Sequence, residues 1–143
     1  MQTNTTDKKT TSKKHCDRVM SALEIHQTPN AILQSGAQKF AVRSQRKANL
    51  VYSVGVKNET PYCACRDYEL HGQPCKHIFA TVGYAATAAI LSFRWANDVE
   101  ELEIAASLHA EALKALPEIF RSVARAEYKA AYERLNASAA LAA

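Results

Sequence analysis

A helix-rich α+β fold is what this sequence predicts: a short β-hairpin with a helix behind it, helices on either side, and a long amphipathic C-terminal helix. Three observations lead there. Among 143 residues only 4 are Gly and 4 are Pro, too few for the many tight turns of an all-β sandwich. Apolar residues take up a period of two between Lys39 and Lys57 and a period near 3.6 on either side. From Asp98 onward Ala, Glu, Leu and Arg dominate, a composition of high helix propensity. Hydrophobic residues make up 48% and charged residues 22%, so a packed core is expected, and the length excludes two large catalytic lobes.

The elements run in order along the chain. Residues 1–12 are polar and aperiodic and read as a disordered leader, unable to bury enough surface to offset their ordering entropy. Residues 13–37 read as two short helices. In the first, to Gln27, Val19, Leu23 and His26 form one stripe. The second starts with Thr28 as N-cap and Pro29 at the first helical position, runs through Leu33 and stops at Gly36. Residues 38–92 form the hairpin unit. Phe40 and Val42 alternate, then Leu50, Tyr52, Val54 and Val56 share a face, and Asn58 to Pro61 turn the chain into Tyr62-Cys63-Ala64-Cys65. Ile78, Phe79, Val82, Ala85, Ala86, Ala89 and Ile90 place a helix of about four turns from near Lys76. Residues 93–143 form a helical region. Its stripe is Leu102, Ala105, Leu108, Ala112, Leu116, Ile119, Val123 and Ala126; Asn97 or Asp98 caps it, Glu100, Glu101 and Glu103 suit its positive end, and near Pro117 the long helix is kinked or a new helix starts. Residues 136–143 should fray.

Charge is uneven. The formal net charge is +4, yet residues 1–57 carry ten Lys or Arg against three acids, and every later segment is neutral or slightly acidic. Such a surplus suits a phosphate-binding face. Lys8, Lys9, Lys13 and Lys14 sit in the leader, where charge commonly just solvates a tail. The most apolar stretch, Ile78 to Leu91, is too short to span a membrane, and the N-terminus lacks the apolar run of a secretory signal. An intracellular, reducing compartment is expected, where clustered cysteines bind metal more often than they form disulfides.

Three of the four cysteines lie in the string from Cys63 to His77: Cys63-Ala64-Cys65, nine residues, then Cys75-Lys76-His77. A structural zinc ion wants four thiolate or imidazole ligands at tetrahedral corners. In an extended segment residues i and i+2 point to one side, so Cys63 and Cys65 can grip one ion. In a helix they lie about 200° apart, so Cys75 must precede the helix and His77 occupy its opening turn, with Gly72 and Pro74 supplying the entry. A Cys3His set leaves no open position for substrate water. The rival ligand is His71, within the loop. Cys16, beside His15, reads as a reduced helix cysteine, and His26 and His109 as packing or surface residues. Tyr68 and Leu70 are apolar enough to fold the loop back over the site.

This string resembles the SWIM-type zinc finger, with its C-x-C, variable loop and C-x-H. The flanks resemble it too, in Phe40-Ala41-Val42-Arg43-Ser44-Gln45, Tyr52-Ser53-Val54 and Gly72-Gln73-Pro74-Cys75-Lys76-His77-Ile78-Phe79-Ala80. The resemblance covers residues 38–85. It implies a zinc-stabilised hairpin and helix, with Zn2+ on Cys63, Cys65, Cys75 and His77. It also implies binding of DNA or protein; the family occurs attached to chromatin-remodelling helicases, transposases and ubiquitin-related proteins, none of which fits within this chain. One departure is Arg66, where the family often has proline; it should alter the strand end without touching the ligands.

Two functions are compatible with these features. In the first the zinc module binds nucleic acid, with Arg43, Arg46, Lys47 and Lys57 as phosphate contacts and Lys39 nearby; the other reading of these charges is a solvated edge that blocks sheet aggregation. In the second the chain is a protein-interaction adaptor, pairing with a partner or a second copy through residues 98–135; the other reading is that this stripe packs within the protein itself. An enzyme is not expected, because no glycine-rich phosphate loop, nucleophile elbow or second acidic metal motif is present. Neither a small-molecule substrate nor a membrane partner is expected.

Overall fold

The computed structural model describes residues 18–142. The leader, the start of the predicted first helix, and Cys16 lie outside the described residues. The chain forms two compact units: residues 18–57 with 61–82, and residues 83–142 with the 58–60 turn. The division falls after Val82 and not at 92, because the helix beyond it packs with the C-terminal helices.

The first unit opens with helix α1, residues 18–27. Its buried stripe is Val19, Ala22 and Ile25, spaced by three, so Leu23 and His26 flank the stripe instead of forming it. The predicted second helix is absent. Thr28 closes α1, its hydroxyl donating to the Glu24 carbonyl at 2.7 Å and its backbone N–H to Ile25 at 3.1 Å. Asn30 then takes φ 60°, a conformation Asn tolerates, and the chain leaves as strand β1 (Ile32–Gly36). The cause is tertiary. A neighbouring strand offers backbone partners to Ile32 and Leu33, and Pro29 disfavours continuing the first helix without obliging a second to begin.

β2 (Lys39–Arg43) and β3 (Val51–Lys57) form the predicted hairpin. Lys39 pairs with Gly55 and Arg43 with Val51, and β4 (Thr60–Cys63) completes an antiparallel sheet of order β1-β2-β3-β4. Val42 and Val54 are fully buried, as the period of two requires. The β3-β4 connection puts both Asn58 (φ 51°) and Glu59 (φ 60°) in the left-handed region, the signature of a tight hairpin turn whose twist matches the strands.

The metal loop and the helix after it depart from the sequence-based expectation in three places. The loop holds a short helix, α2 (Arg66–His71), which ends on Gly72 at φ 60°. Leu70 remains 64% exposed, whereas Tyr68 does bend the loop back, its hydroxyl donating to the Pro61 carbonyl at 2.8 Å. The four-turn helix from Lys76 is two helices, α3 (Lys76–Ala80) and α4 (Tyr84–Trp95). Thr81 interrupts them, its hydroxyl donating to the His77 carbonyl at 2.8 Å.

In the second unit α4 packs with α5 (Val99–Lys114) and α6 (Glu118–Ala142). Asp98 caps α5, accepting from the Glu101 backbone N–H at 2.8 Å, and the Glu101 carboxylate accepts from the Asn97 backbone N–H at 2.8 Å. Of the two outcomes expected at Pro117, a kink or a new helix, the structure has the second: α6 starts just after the proline and packs on α5. Because the chain turns there, the apolar register resets. α6 buries Phe120, Ala124, Glu127, Ala131 and Leu135, not Ile119, Val123 and Ala126, and Leu108 of α5 stays 76% exposed. Helix α6 continues to Ala142, with an exposed last turn.

Glu127 is buried at 7% exposure, and the guanidinium of Arg94 donates to both its carboxylate oxygens at 3.1 Å. Arg134 of α6 donates to the carbonyls of Phe93, Arg94 and Ala96 at 3.3 to 3.5 Å, which satisfies the C-terminal end of α4.

Two outcomes are expected from the backbone. A Cβ at Gly83 would meet the Phe120 ring, with Cδ1 and Cζ at 2.9 Å. Gly83→Ala should therefore cost about 1 to 3 kcal/mol of second-unit stability, read by chemical denaturation, with partial recovery in Gly83→Ala/Phe120→Leu. Glu59→Gly relieves a left-handed residue in the β3-β4 turn and should stabilise the protein by about 1 kcal/mol, read as a higher melting temperature.

Candidate metal centre

Each of four side chains arrives by its own local logic. Cys63 ends β4. Cys65 comes next in extended geometry (φ −76°, ψ 158°) and is the N-cap of α2, its sulfur accepting from the Tyr68 backbone N–H at 3.5 Å. Cys75 is extended at φ −89°, ψ 175° as the N-cap of α3, and His77 is the second residue of that helix. The requirement that Cys75 precede the helix and His77 lie in its opening turn is met.

The ligand atoms of Cys63, Cys65, Cys75 and His77 all lie within 4.8 Å of one another. His77 Nδ1 is 3.7 Å from Cys63 Sγ and 3.8 Å from Cys75 Sγ. A tetrahedral zinc ion, with bonds of about 2.3 Å to sulfur and about 2.05 Å to nitrogen, would hold such atoms about 3.6 Å apart. All four residues are buried, Cys75 completely. Tyr52 of β3 covers the imidazole, ring centroids 4.8 Å apart. The donor set and spacing therefore fit a metal ion with Nδ1 as the imidazole ligand.

The electrostatics point the same way. Hydrogen bonding from Cys63, then Cys75, holds the Cys65 thiol far below the ordinary range. Cys63 is pushed up in turn, first by its hydrogen bond to Cys65, then by Cys75 and burial. Cys75 is pushed up to about 11: the hydrogen bond with Cys63 lowers it, and those with Cys65 and burial more than offset that. One thiolate is stabilised at the expense of its neighbours, an imbalance that a cation among the sulfurs would relieve. The Tyr68 backbone N–H donates to Cys65 Sγ, and the nearby backbone N–H groups of Cys65 and Ile78 likewise favour thiolate at Cys63 and Cys75. The sequence signal for those donors is slight: Cys65 and Cys75 each stand immediately before a helix, where an N-cap side chain meets free N–H groups.

His71 is not a ligand. Its side chain is 53% exposed and its Nε2 lies 3.7 Å from Asp67 Oδ1. Asp67 is held by Arg18 of α1 through a two-point contact at 2.9 and 3.2 Å, and His26 Nδ1–H donates to the Ala80 carbonyl at 3.2 Å. These two links tie α1 to the metal loop and to the end of α3. His109 lies in the second unit, 3.0 Å from the Ser92 hydroxyl.

The predicted cations separate. Arg43, Arg46 and Lys47 stand together at the β2-β3 connection, where Ser44 Oγ accepts from the backbone N–H groups of Arg46 and Lys47 at 3.2 Å each. That connection lies beside the metal cluster, since Ser44, Gln45 and Arg46 share a cleft with Cys65, Cys75 and His77. Lys57 ends β3 at the opposite end of the hairpin, about 20 Å from Val51 at roughly 3.3 Å per residue. Lys39 pairs with Gly55 at that far end. Arg43, Arg46 and Lys47 thus share one end of the hairpin, while Lys39 and Lys57 lie at the other.

Among the described residues no helix is long and apolar enough to cross a membrane. No curated protein and no solved structure matches the chain. Residues 51–85, from β3 through both short helices, match the family model of the SWIM zinc finger and include all four clustered side chains. The resemblance in the C-x-C and C-x-H steps is thereby upheld, over a shorter stretch than the 38–85 read from the sequence.

Proposed function

We propose that this chain is a non-enzymatic zinc module that binds nucleic acid, DNA by family resemblance, with the hairpin end beside the metal centre as its phosphate-contacting face. A single observation carries the reading: Arg43, Arg46 and Lys47 project from a connection that shares a cleft with the metal-binding residues. When bound, the ion would supply cross-linking and no reaction, because three thiolates and one imidazole fill a tetrahedral sphere. Cys63 would hold it from the end of β4, Cys65 from the start of α2, and Cys75 and His77 from the start of α3. The ion thereby fixes the sheet against the helix, and the rigid hairpin presents its cations. Lys57 is a weaker contact in this reading, being at the other end of the strand.

A second reading, a protein-interaction adaptor, has one observation in its favour. Ile104 and Leu108 lie one turn apart on α5 and are 53% and 76% exposed, an apolar pair that a partner helix or a second copy could cover.

Two experiments test the proposal. Elemental analysis of reduced, full-length protein should find one zinc per chain. Cys75→Ser or His77→Ala should abolish it and unfold the hairpin and α3, while circular dichroism retains the helical signal of the second unit. Protons compete with the metal for thiolate and imidazole, so zinc is released as pH falls; retention of zinc by both variants would refute the site. Binding of a labelled oligonucleotide should weaken steeply between 50 and 200 mM salt. Arg46→Ala/Lys47→Ala should reduce the log–log salt slope by about 2, and Lys57→Ala by less than 1. Salt-independent binding, or none at 50 mM salt, would exclude recognition of a nucleic-acid backbone.

A further inference from the structure

We propose that the cleft beside the metal cluster is a phosphate-binding pocket in which Arg46, Arg66 and Lys76 hold the anion. The source of that phosphate, a nucleic-acid backbone, rests on the function proposed above; the pocket's chemistry does not. The cleft measures about 320 Å3, within the range of about 300 to 1,000 Å3 typical of ligand pockets.

Its three cations come from three elements: Arg46 from the β2-β3 connection, Arg66 from the first position of α2, and Lys76 from the first position of α3. Sequence spacing alone does not bring them together; the metal ligands do, since Arg66 directly succeeds Cys65 and Lys76 lies between Cys75 and His77. The wall is built in advance. Ser44 Oγ holds the connection through the Arg46 and Lys47 N–H groups, and Lys76 Nζ donates to Gln45 Oε1 at 2.6 Å, fastening that connection to α3.

Charge favours an anion. Among the described residues Asp67 is the one acid lining the cleft, and the Arg18 fork occupies both its oxygens. A divalent ion with three thiolates carries one net negative charge, against three cations on the rim. The guanidinium groups of Arg46 and Arg66 make no hydrogen bond or ion pair with any other described residue, and a planar guanidinium suits two-point contact with a phosphate.

Arg66 is the informative residue. It stands directly after the N-cap Cys65, at the helical position where proline is well accommodated and no backbone N–H is needed. Nothing in the helix start calls for arginine, so its side chain is available to the cleft.

The test uses the full, metal-loaded chain and three variants, Arg66→Pro, Arg66→Gln and Arg66→Lys. Proline preserves the helix start, and glutamine serves if proline alters the melting curve. Labelled oligonucleotide is titrated from 50 to 200 mM salt, and pyrophosphate binding is measured by calorimetry. We expect the Pro and Gln variants to bind oligonucleotide about tenfold more weakly at low salt, with a salt slope smaller by about 1, and Lys to restore the slope. Pyrophosphate should bind the parent chain and not the Pro or Gln variants. Unchanged affinity and slope in those variants would overturn the pocket and leave nucleic-acid binding standing. Arg66-dependent pyrophosphate binding without oligonucleotide binding would uphold the pocket with free phosphate as its guest, and would refute the function proposed above. Binding of neither ligand would overturn both.

Discussion

A single junction of four side chains governs the first unit. Three sulfurs and one imidazole converge from the end of β4, the start of α2 and the start of α3. Without a shared cation this cluster is a burden, because buried thiols beside one another resist ionisation and an imidazole is withdrawn from water. With one, the same burial becomes an advantage, since a dry site of soft ligands is what a closed-shell divalent ion prefers. The short elements on either side are otherwise weak. α2 spans six residues and α3 five, below the length at which a helix sustains itself in water. Both begin at a clustered cysteine, Cys65 and Cys75, so a metal ion bound there would fix the start of each helix.

Polar contacts extend that junction outward. Arg18 and His26 fix α1 to the metal loop and to the end of α3, and Lys76 reaches Gln45 in the hairpin connection. Residues of separate elements are thus held in register around a core too small to specify them by packing alone. The second unit obeys a different logic, with Phe93, Leu102, Phe120 and Leu135 supplying an apolar interior and the Arg94–Glu127 pair placed within it. A buried ion pair of this kind adds little net stability, because desolvation offsets its attraction, yet loss of either partner strands the other.

Much of this was legible in the residues. The C-x-C and C-x-H steps identify all four clustered side chains, because extended and helix-entry geometries allow only certain spacings, and alternation identifies β2 and β3. Strand β1 was not legible: Ile32-Leu33-Gln34-Ser35-Gly36 has little β character, and it is its hairpin partner β2, 3 to 10 residues further on, that makes it a strand. The register of α6 was hidden for a related reason. A stripe counted across Pro117 assumes one continuous axis, and the turn there starts a new one, so Phe120 and Leu135 took the inner face. The separation of Lys57 from Arg43, Arg46 and Lys47 was implicit in the hairpin itself, since the start of one strand pairs with the end of the other.

The three carbonyls that Arg134 gathers at the end of α4 carry a consequence for chain length. That helix end is completed by a residue about 40 positions downstream, so the bundle is not sealed until Arg134 has been made. A fragment ending before Arg134 would retain every helix start and most of the apolar interior, yet leave the α4 terminus open to water. Deletion after Leu135 would remove, among the described residues, only solvent-facing ones, which places the minimal boundary of this unit between those two cuts.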